Sequence, residues 1–215
     1  LISMDHLLSG GKDVGLHGET AGLLIADIAT ESLHWTAMKQ RLAIGCTQAL
    51  RDFAGATDTI KLVSSDNAAE FVRAVADIAV PHKLGTPYRS TTNGRIENLV
   101  GQVRMGARAL LHQAGLPPAW WPLACAFYCA AHNIVGKPVM NGATPYSRRT
   151  GEQFPGLIVP FGAGVQALLP ETRVPRSKFA SRTTLSLFLG YHWNPGQAWS
   201  GDYYVSPVED FGLYG

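Results

Sequence analysis

Residues 109–136 contain no Asp, Glu, Lys or Arg, and this uncharged run constrains the fold more than any other feature. A stretch of that kind is buried, either in lipid or in protein. Pro117, Pro118 and Pro122 interrupt it, and His112, Gln113, His132 and Asn133 lie within it. Those residues predict a buried helix pair and argue against a membrane span. Gly115 is placed to stop the first helix, and Pro117-Pro118 to open a second one carrying Trp120 and Trp121. Both tryptophans are expected to pack rather than to stack on bases. Cys125 and Cys129 fall on one face of the second helix; with Cys46 they make neither a disulfide framework nor a zinc quartet. A reducing compartment is expected.

Upstream of that run the pattern is α/β. Strand-like segments at 1–8, 22–29 and 33–38 precede a helix at 43–55, a strand at 59–64, a helix at 67–76 and a strand near 80–84. A Pro/Gly/Ser/Thr-rich loop at 85–94 leads into a helix over 95–114. Its apolar stripe is Ile96, Leu99, Val100, Val103, Ala107, Leu110 and Leu111. From about 139 Gly and Pro become frequent. Val165, Ala167 and Leu169 alternate, as do Leu185, Leu187 and Leu189; Asn194-Pro195-Gly196 reads as a turn, and Tyr203-Tyr204-Val205 as a strand. The expected organisation is an α/β core over 1–140, a linker at 141–155 and a small β-rich module over 156–215. The chain opens at Leu1 inside a strand-like run and reads as a piece of something longer.

The formal charge is only +2, but it is unevenly spread. Residues 1–82 hold six Lys/Arg against ten Asp/Glu, net −4. Residues 83–108 hold Lys83, Arg89, Arg95, Arg104 and Arg108 against Glu97, net +4. Residues 137–187 hold seven basic residues against Glu152 and Glu171, net +5, and 188–215 hold three acids alone, net −3. Two basic blocks on an otherwise acidic chain suit a polyanion; the competing explanation is ordinary solvated faces.

Within the 95–114 helix, Glu97, Gly101, Arg104 and Arg108 stand at i, i+4, i+7 and i+11, on one face opposite the apolar stripe. Asp66 ends an apolar strand and Asp5 lies in the first strand. Carboxylates at strand ends, joined by a third from a crossing helix, can converge from distant positions. Such a cluster repels itself unless a hard divalent cation sits within it. Two such ions roughly 4 Å apart can activate an attacking oxygen and stabilise a leaving one. An N-cap role for Asp66 is the simpler alternative.

The segment Ser65-Asp66-Asn67-Ala68-Ala69-Glu70-Phe71 resembles the DNG-x-EF motif of retroviral and retrotransposon integrases. Residues 86–98, with Pro87-Tyr88, Asn93-Gly94 and Glu97, resemble their PY-x-P-x-x-NG-x-x-E segment. Ile2-Ser3-Met4-Asp5-His6 is similar to the strand that holds their first aspartate. Similarity to the Copia branch continues at 109–117, in Gly142-Ala143-Thr144-Pro145-Tyr146, in Pro160-Phe161-Gly162 and in Phe188-Leu189-Gly190-Tyr191.

The resemblance implies a ribonuclease H-like mixed sheet flanked by helices, followed by a small SH3-like module. It implies a polynucleotidyl transferase that processes DNA 3′ ends and transfers strands during retrotransposon integration. Asp5, Asp66 and Glu97 become a metal-binding catalytic triad for Mg²⁺ or Mn²⁺, with two ions once DNA is bound. The separations are 66 − 5 = 61 and 97 − 66 = 31; the second is short for the family and implies a trimmed loop between 72 and 94. Asp27 is the rival first acid. Lys83, Arg89, Asn93, Arg95, Arg104 and Arg108 become DNA contacts, and His6 a bystander. Implied partners are element-end and target DNA, further copies of the chain and other parts of the same polyprotein, with no membrane. The implied location is the nucleus, or otherwise a cytoplasmic particle. Ala68 in place of Gly and Asn98 in place of a basic residue depart from the pattern, and no His/Cys zinc-binding region precedes Asp5. A decayed DNA-binding or assembly module, or another ribonuclease H-like nuclease, are the alternatives.

Overall fold

The computed structural model describes residues 1–11, 13–56, 58–85, 94–136, 142–170, 179 and 181–213. Strands β1 (Ile2–Leu8), β2 (Ala21–Asp27) and β3 (Leu33–Met38) form an antiparallel meander. Helix α1 (Ala43–Ala54) follows, then β4 (Val63–Ser65), α2 (Ala69–Asp77) and β5 (His82–Leu84). Both β4 and β5 run parallel to β1, so the sheet is mixed, in the order β3-β2-β1-β4-β5.

The sheet is covered on both faces, which is why β2 carries the unbroken buried run Leu23-Leu24-Ile25-Ala26. Alternation divides β1. Ile2 and Met4 enter a cluster with Leu50 and Phe53 of α1 and Phe71 and Val75 of α2. Leu7 enters the opposite cluster with α3 (Gly94–Ala114) and α4 (Trp121–Val135).

In α3 the predicted stripe is on the core side. Ile96, Val103, Ala107 and Leu111 are buried, while Leu99, Val100 and Leu110 are partly buried. The helix ends at Gly115, at φ 67°, with the Leu116 N–H reaching the Leu111 carbonyl and the Gly115 N–H the His112 carbonyl. A short 3-10 turn at Pro118–Trp120 then leads into α4.

The lack of charge in α4 follows from its position: it packs on α3 and β3 and on the second sheet. That sheet is antiparallel and comprises β6 (Gly164–Ala167), β7 (Thr184–Asn194) and β8 (Ala198–Pro207), in the order β6-β7-β8. Phe188, Leu189 and Tyr191 of β7 share one hydrophobic cluster with Phe127 and Ala130 of α4. No described helix is long and apolar enough to cross a membrane.

Three expectations shift. The strand expected at 59–64 is only Val63–Ser65, because Val63 pairs with Ile2 at the start of β1 and earlier residues have no strand beside them. The expected linker contains α5 (Pro145–Thr150), capped by the Thr144 hydroxyl accepting from the Ser147 N–H at 3.2 Å. Leu169 lies beyond β6.

Candidate active site and nucleic-acid interface

Asp5 sits in β1 opposite Leu24 of β2, on the face that carries Leu7 and α3. In the parallel pairing of β1 and β4, Ser3 faces Ser64. Continuing that register by two residues brings Asp5, in the middle of β1, level with Asp66, the residue just past the carboxyl end of β4. Glu97 lies in the first turn of α3, next to the buried Ile96 that docks the helix on the same face. It is itself exposed, as is Asp66.

The electrostatics tie the three acids together. Burial pushes the Asp5 carboxyl up to about 6, and the negative charges of Asp66 and Glu97 push the same way. The His6 N–H, donating to Asp5 Oδ1 at 2.7 Å, offsets part of that shift. Asp66 Oδ1 accepts the Ala68 N–H at 3.2 Å. The residue flanking α2 is Ala68, so Asp66 shapes the entering turn and is not the N-cap. Among the described residues, no group of three or more His, Cys, Asp or Glu side chains stands close enough to hold a metal ion. All three are carboxylates, the oxygen donors that a hard divalent cation takes as ligands.

Asp27 has a different position and different work. It pairs with Ile2, three residues along β1 from Asp5. Its Oδ1 accepts the Ala29 N–H at 3.0 Å, and its Oδ2 the Thr30 hydroxyl at 2.8 Å. It organises the turn between β2 and β3.

His6 projects to the other face of the sheet. It stacks on Phe71 with centroids 4.6 Å apart, and its Nε2 lies 3.6 Å from Glu70. Burial lowers its pKa, opposed by Glu70, so the ring is neutral at pH 7. Cys125 and Cys129 are buried thiols; burial pushes Cys125 up to about 12 and Cys129 well above its ordinary value. Trp120 stacks on Phe211 at 5.0 Å, and Trp121 Nε1 donates to the Asp13 carbonyl at 2.9 Å, so both pack.

The expected DNA contacts divide into three groups. Lys83, level with Ser64 on the edge strand β5, is exposed on the Asp5 face. Arg95 is exposed but drawn to Glu31 at 3.5 Å, a carboxylate that also meets Arg148 at 3.2 Å. Arg104 and Arg108 are exposed along α3 beyond Glu97 and border a groove that no sequence pattern announced. Arg89 and Asn93 lie outside the described residues.

The chain has the ribonuclease H-like fold, with its mixed five-stranded sheet between helices, and a β-rich unit follows. A solved structure similar to it is the catalytic core domain of BIV integrase, with a TM-score of 0.50 and 14% identity. The match covers 90% of that domain and 68% of this chain, so almost the whole core architecture is shared while the rest of this chain lies outside it. No protein-family model matches the chain, and no curated protein matches it.

Proposed function

We propose that the chain is a Copia-type retrotransposon integrase: a polynucleotidyl transferase that processes DNA 3′ ends and joins them to target DNA. The observation that carries this reading is the shared electrostatics of Asp5, Asp66 and Glu97 on an integrase-like fold. Asp5, Asp66 and Glu97 are the residues that would hold Mg²⁺ or Mn²⁺, two ions when DNA is present. Bound there, the ions supply Lewis acidity to a phosphodiester and lower the pKa of an attacking hydroxyl.

The chain's own residues supply position. Asp5 is anchored in the central strand and half-buried, so its carboxylate is held with little freedom. Glu97 approaches from a helix fixed by Ile96 and Val103. Lys83, Arg104 and Arg108, with Arg89, Asn93 and Arg95, hold phosphate oxygens on either side of the reacting group. Such contacts confer salt-dependent affinity with little base reading. The unit over 156–215 is an SH3-like module of the same polyprotein, and the working form is an oligomer acting on DNA in the nucleus.

The test is Mn²⁺- or Mg²⁺-dependent nicking and joining of a duplex with free 3′ hydroxyl ends. Wild-type protein should form joined products, and Glu97→Gln should form none. Unchanged activity in Glu97→Gln removes this site from consideration. Cleavage of the RNA strand of a hybrid, without joining, would point to a different nuclease on the same fold.

A further inference from the structure

The side of the sheet behind the candidate site carries a polar chain that packing does not require. Ser65 ends β4 fully buried, on the side that holds Val63, α1 and α2. Val63, two residues earlier on that side, is apolar and equally buried, so the strand itself has no need of a hydroxyl there. His82 pairs with Val63 at the start of β5, and its ring reaches the Ser65 hydroxyl. Two bonds meet at Ser65 Oγ, which lies 2.8 Å from the Asp66 carbonyl oxygen and 2.9 Å from His82 Nε2.

Counting protons fixes the direction of both bonds. A carbonyl only accepts, so the single hydroxyl proton of Ser65 goes to Asp66. His82 Nε2 must then donate to Ser65 Oγ. Burial lowers the His82 pKa, which favours the neutral ring and makes it the Nε2–H tautomer. The chain therefore runs one way, from the His82 N–H to the Ser65 hydroxyl to the Asp66 carbonyl. Beside it, the Gly85 N–H donates to the Ser65 carbonyl at 2.8 Å, and Asp66 Oδ1 accepts the Ala68 N–H at 3.2 Å. The peptide that leaves Asp66 is held from β5 through Ser65, and the turn after it by the Asp66 carboxylate.

We infer that His82 is a positioning residue for Asp66: acting through Ser65, it fixes the peptide plane after Asp66 and so the direction in which that carboxylate meets the cation. His82 works from the side of the sheet opposite Asp5 and touches neither the cation nor DNA. The inference rests on the integrase reading for the cation, whereas the hydrogen-bond chain stands without it. Groups that orient a metal ligand in this way are worth about 10- to 100-fold in metal affinity or activity.

The experiment joins NMR and Mn²⁺ binding on the full chain. Long-range ¹H–¹⁵N spectra of the histidine rings at pH 7.5, without metal, should show His82 as the Nε2–H tautomer; the Nδ1–H tautomer overturns the inference. Ser65→Ala and His82→Leu should each shift the Asp66 carbonyl carbon and the Asn67 amide. Each should also weaken Mn²⁺ binding, read by water proton relaxation, about tenfold. His82→Gln, which keeps an N–H donor of similar reach, should recover most of both. The double variant should lose no more than Ser65→Ala alone, because the two residues act through one chain. Val75→Ala, a truncation in the apolar cluster on the same side, should lower the melting temperature and leave the Mn²⁺ affinity of the folded protein as it was. Should His82→Leu fail to fold by thermal melt, Ser65→Ala and the tautomer decide. Unmoved Asp66 and Asn67 resonances in a folded variant overturn the inference. Full Mn²⁺ affinity in Ser65→Ala, in a chain whose wild type binds Mn²⁺, counts against the positioning role alone. The expected tautomer and resonance shifts in a wild type that binds no Mn²⁺ count against the cation site alone.

Discussion

Asp5 and Asp27 sit on neighbouring antiparallel strands, and their surroundings give them opposite meanings. Asp27 spends its carboxylate on a turn, accepting from the Ala29 amide and the Thr30 hydroxyl. Asp5 is half-buried, keeps the one local donor of His6, and faces the charges of Asp66 and Glu97. One carboxylate stabilises the fold. The other is held at a cost, as the proposed cation site requires.

The contrast can be broken most decisively by activity. Asp66→Asn or Glu97→Gln should reduce DNA nicking and joining by at least about a thousandfold, a loss in keeping with removing a ligand of the catalytic metal. Asp27→Asn should leave the rate of the folded fraction within about threefold, as read in the same assay.

Stability sharpens it next, because the two substitutions should move in opposite directions. Asp27→Ala removes two hydrogen bonds and should cost about 1–2 kcal/mol in urea unfolding. Asp5→Asn should raise stability at pH 8 without metal by on the order of 1 kcal/mol, the solvent that still reaches the group limiting the gain.

The pH dependence follows with a fixed sign. The folded Asp5 carboxyl is raised to about 6 from an ordinary value of 3.8. Its favourable contribution is therefore complete below pH 3.8 and is lost as pH rises through about 6. The gain from Asp5→Asn should be absent near pH 3.5, grow between pH 4 and 6, and be full above 7. Affinity for Mg²⁺ should rise through the same window, as the cation competes with a proton.

The smallest effect concerns the arginines. Arg104→Gln and Arg108→Gln should each reduce the slope of log K against log salt for DNA binding by about 1. Arg95→Gln should reduce it less, because Glu31 already holds that guanidinium.

Much of this organisation was legible in the chain. The β3 bounds and the apolar stripe of α3 followed from period and composition. The charge-free run was read as buried helices, and α4 lies between the core and the second sheet. The length of β4 was not legible, because it depends on where β1 begins rather than on the apolar residues Ile60 and Leu62 themselves. Asp5 and Asp27 looked alike in sequence, each in an apolar strand; register and the β2–β3 turn separate them. The pairing of Arg95 with Glu31 and the groove beside Arg104 and Arg108 arise from contacts between distant segments, which no local pattern encodes.

The most direct measurement is paramagnetic broadening of backbone amide resonances by Mn²⁺ at pH 7.5, with Mg²⁺ as the diamagnetic control. Broadening centred on residues 4–6, 65–67 and 96–98, sparing 27–31 and lost in Asp5→Asn, is the predicted result. Broadening centred on Asp27, or amides around Asp5 that stay sharp at saturating Mn²⁺, would contradict a cation site built from Asp5, Asp66 and Glu97.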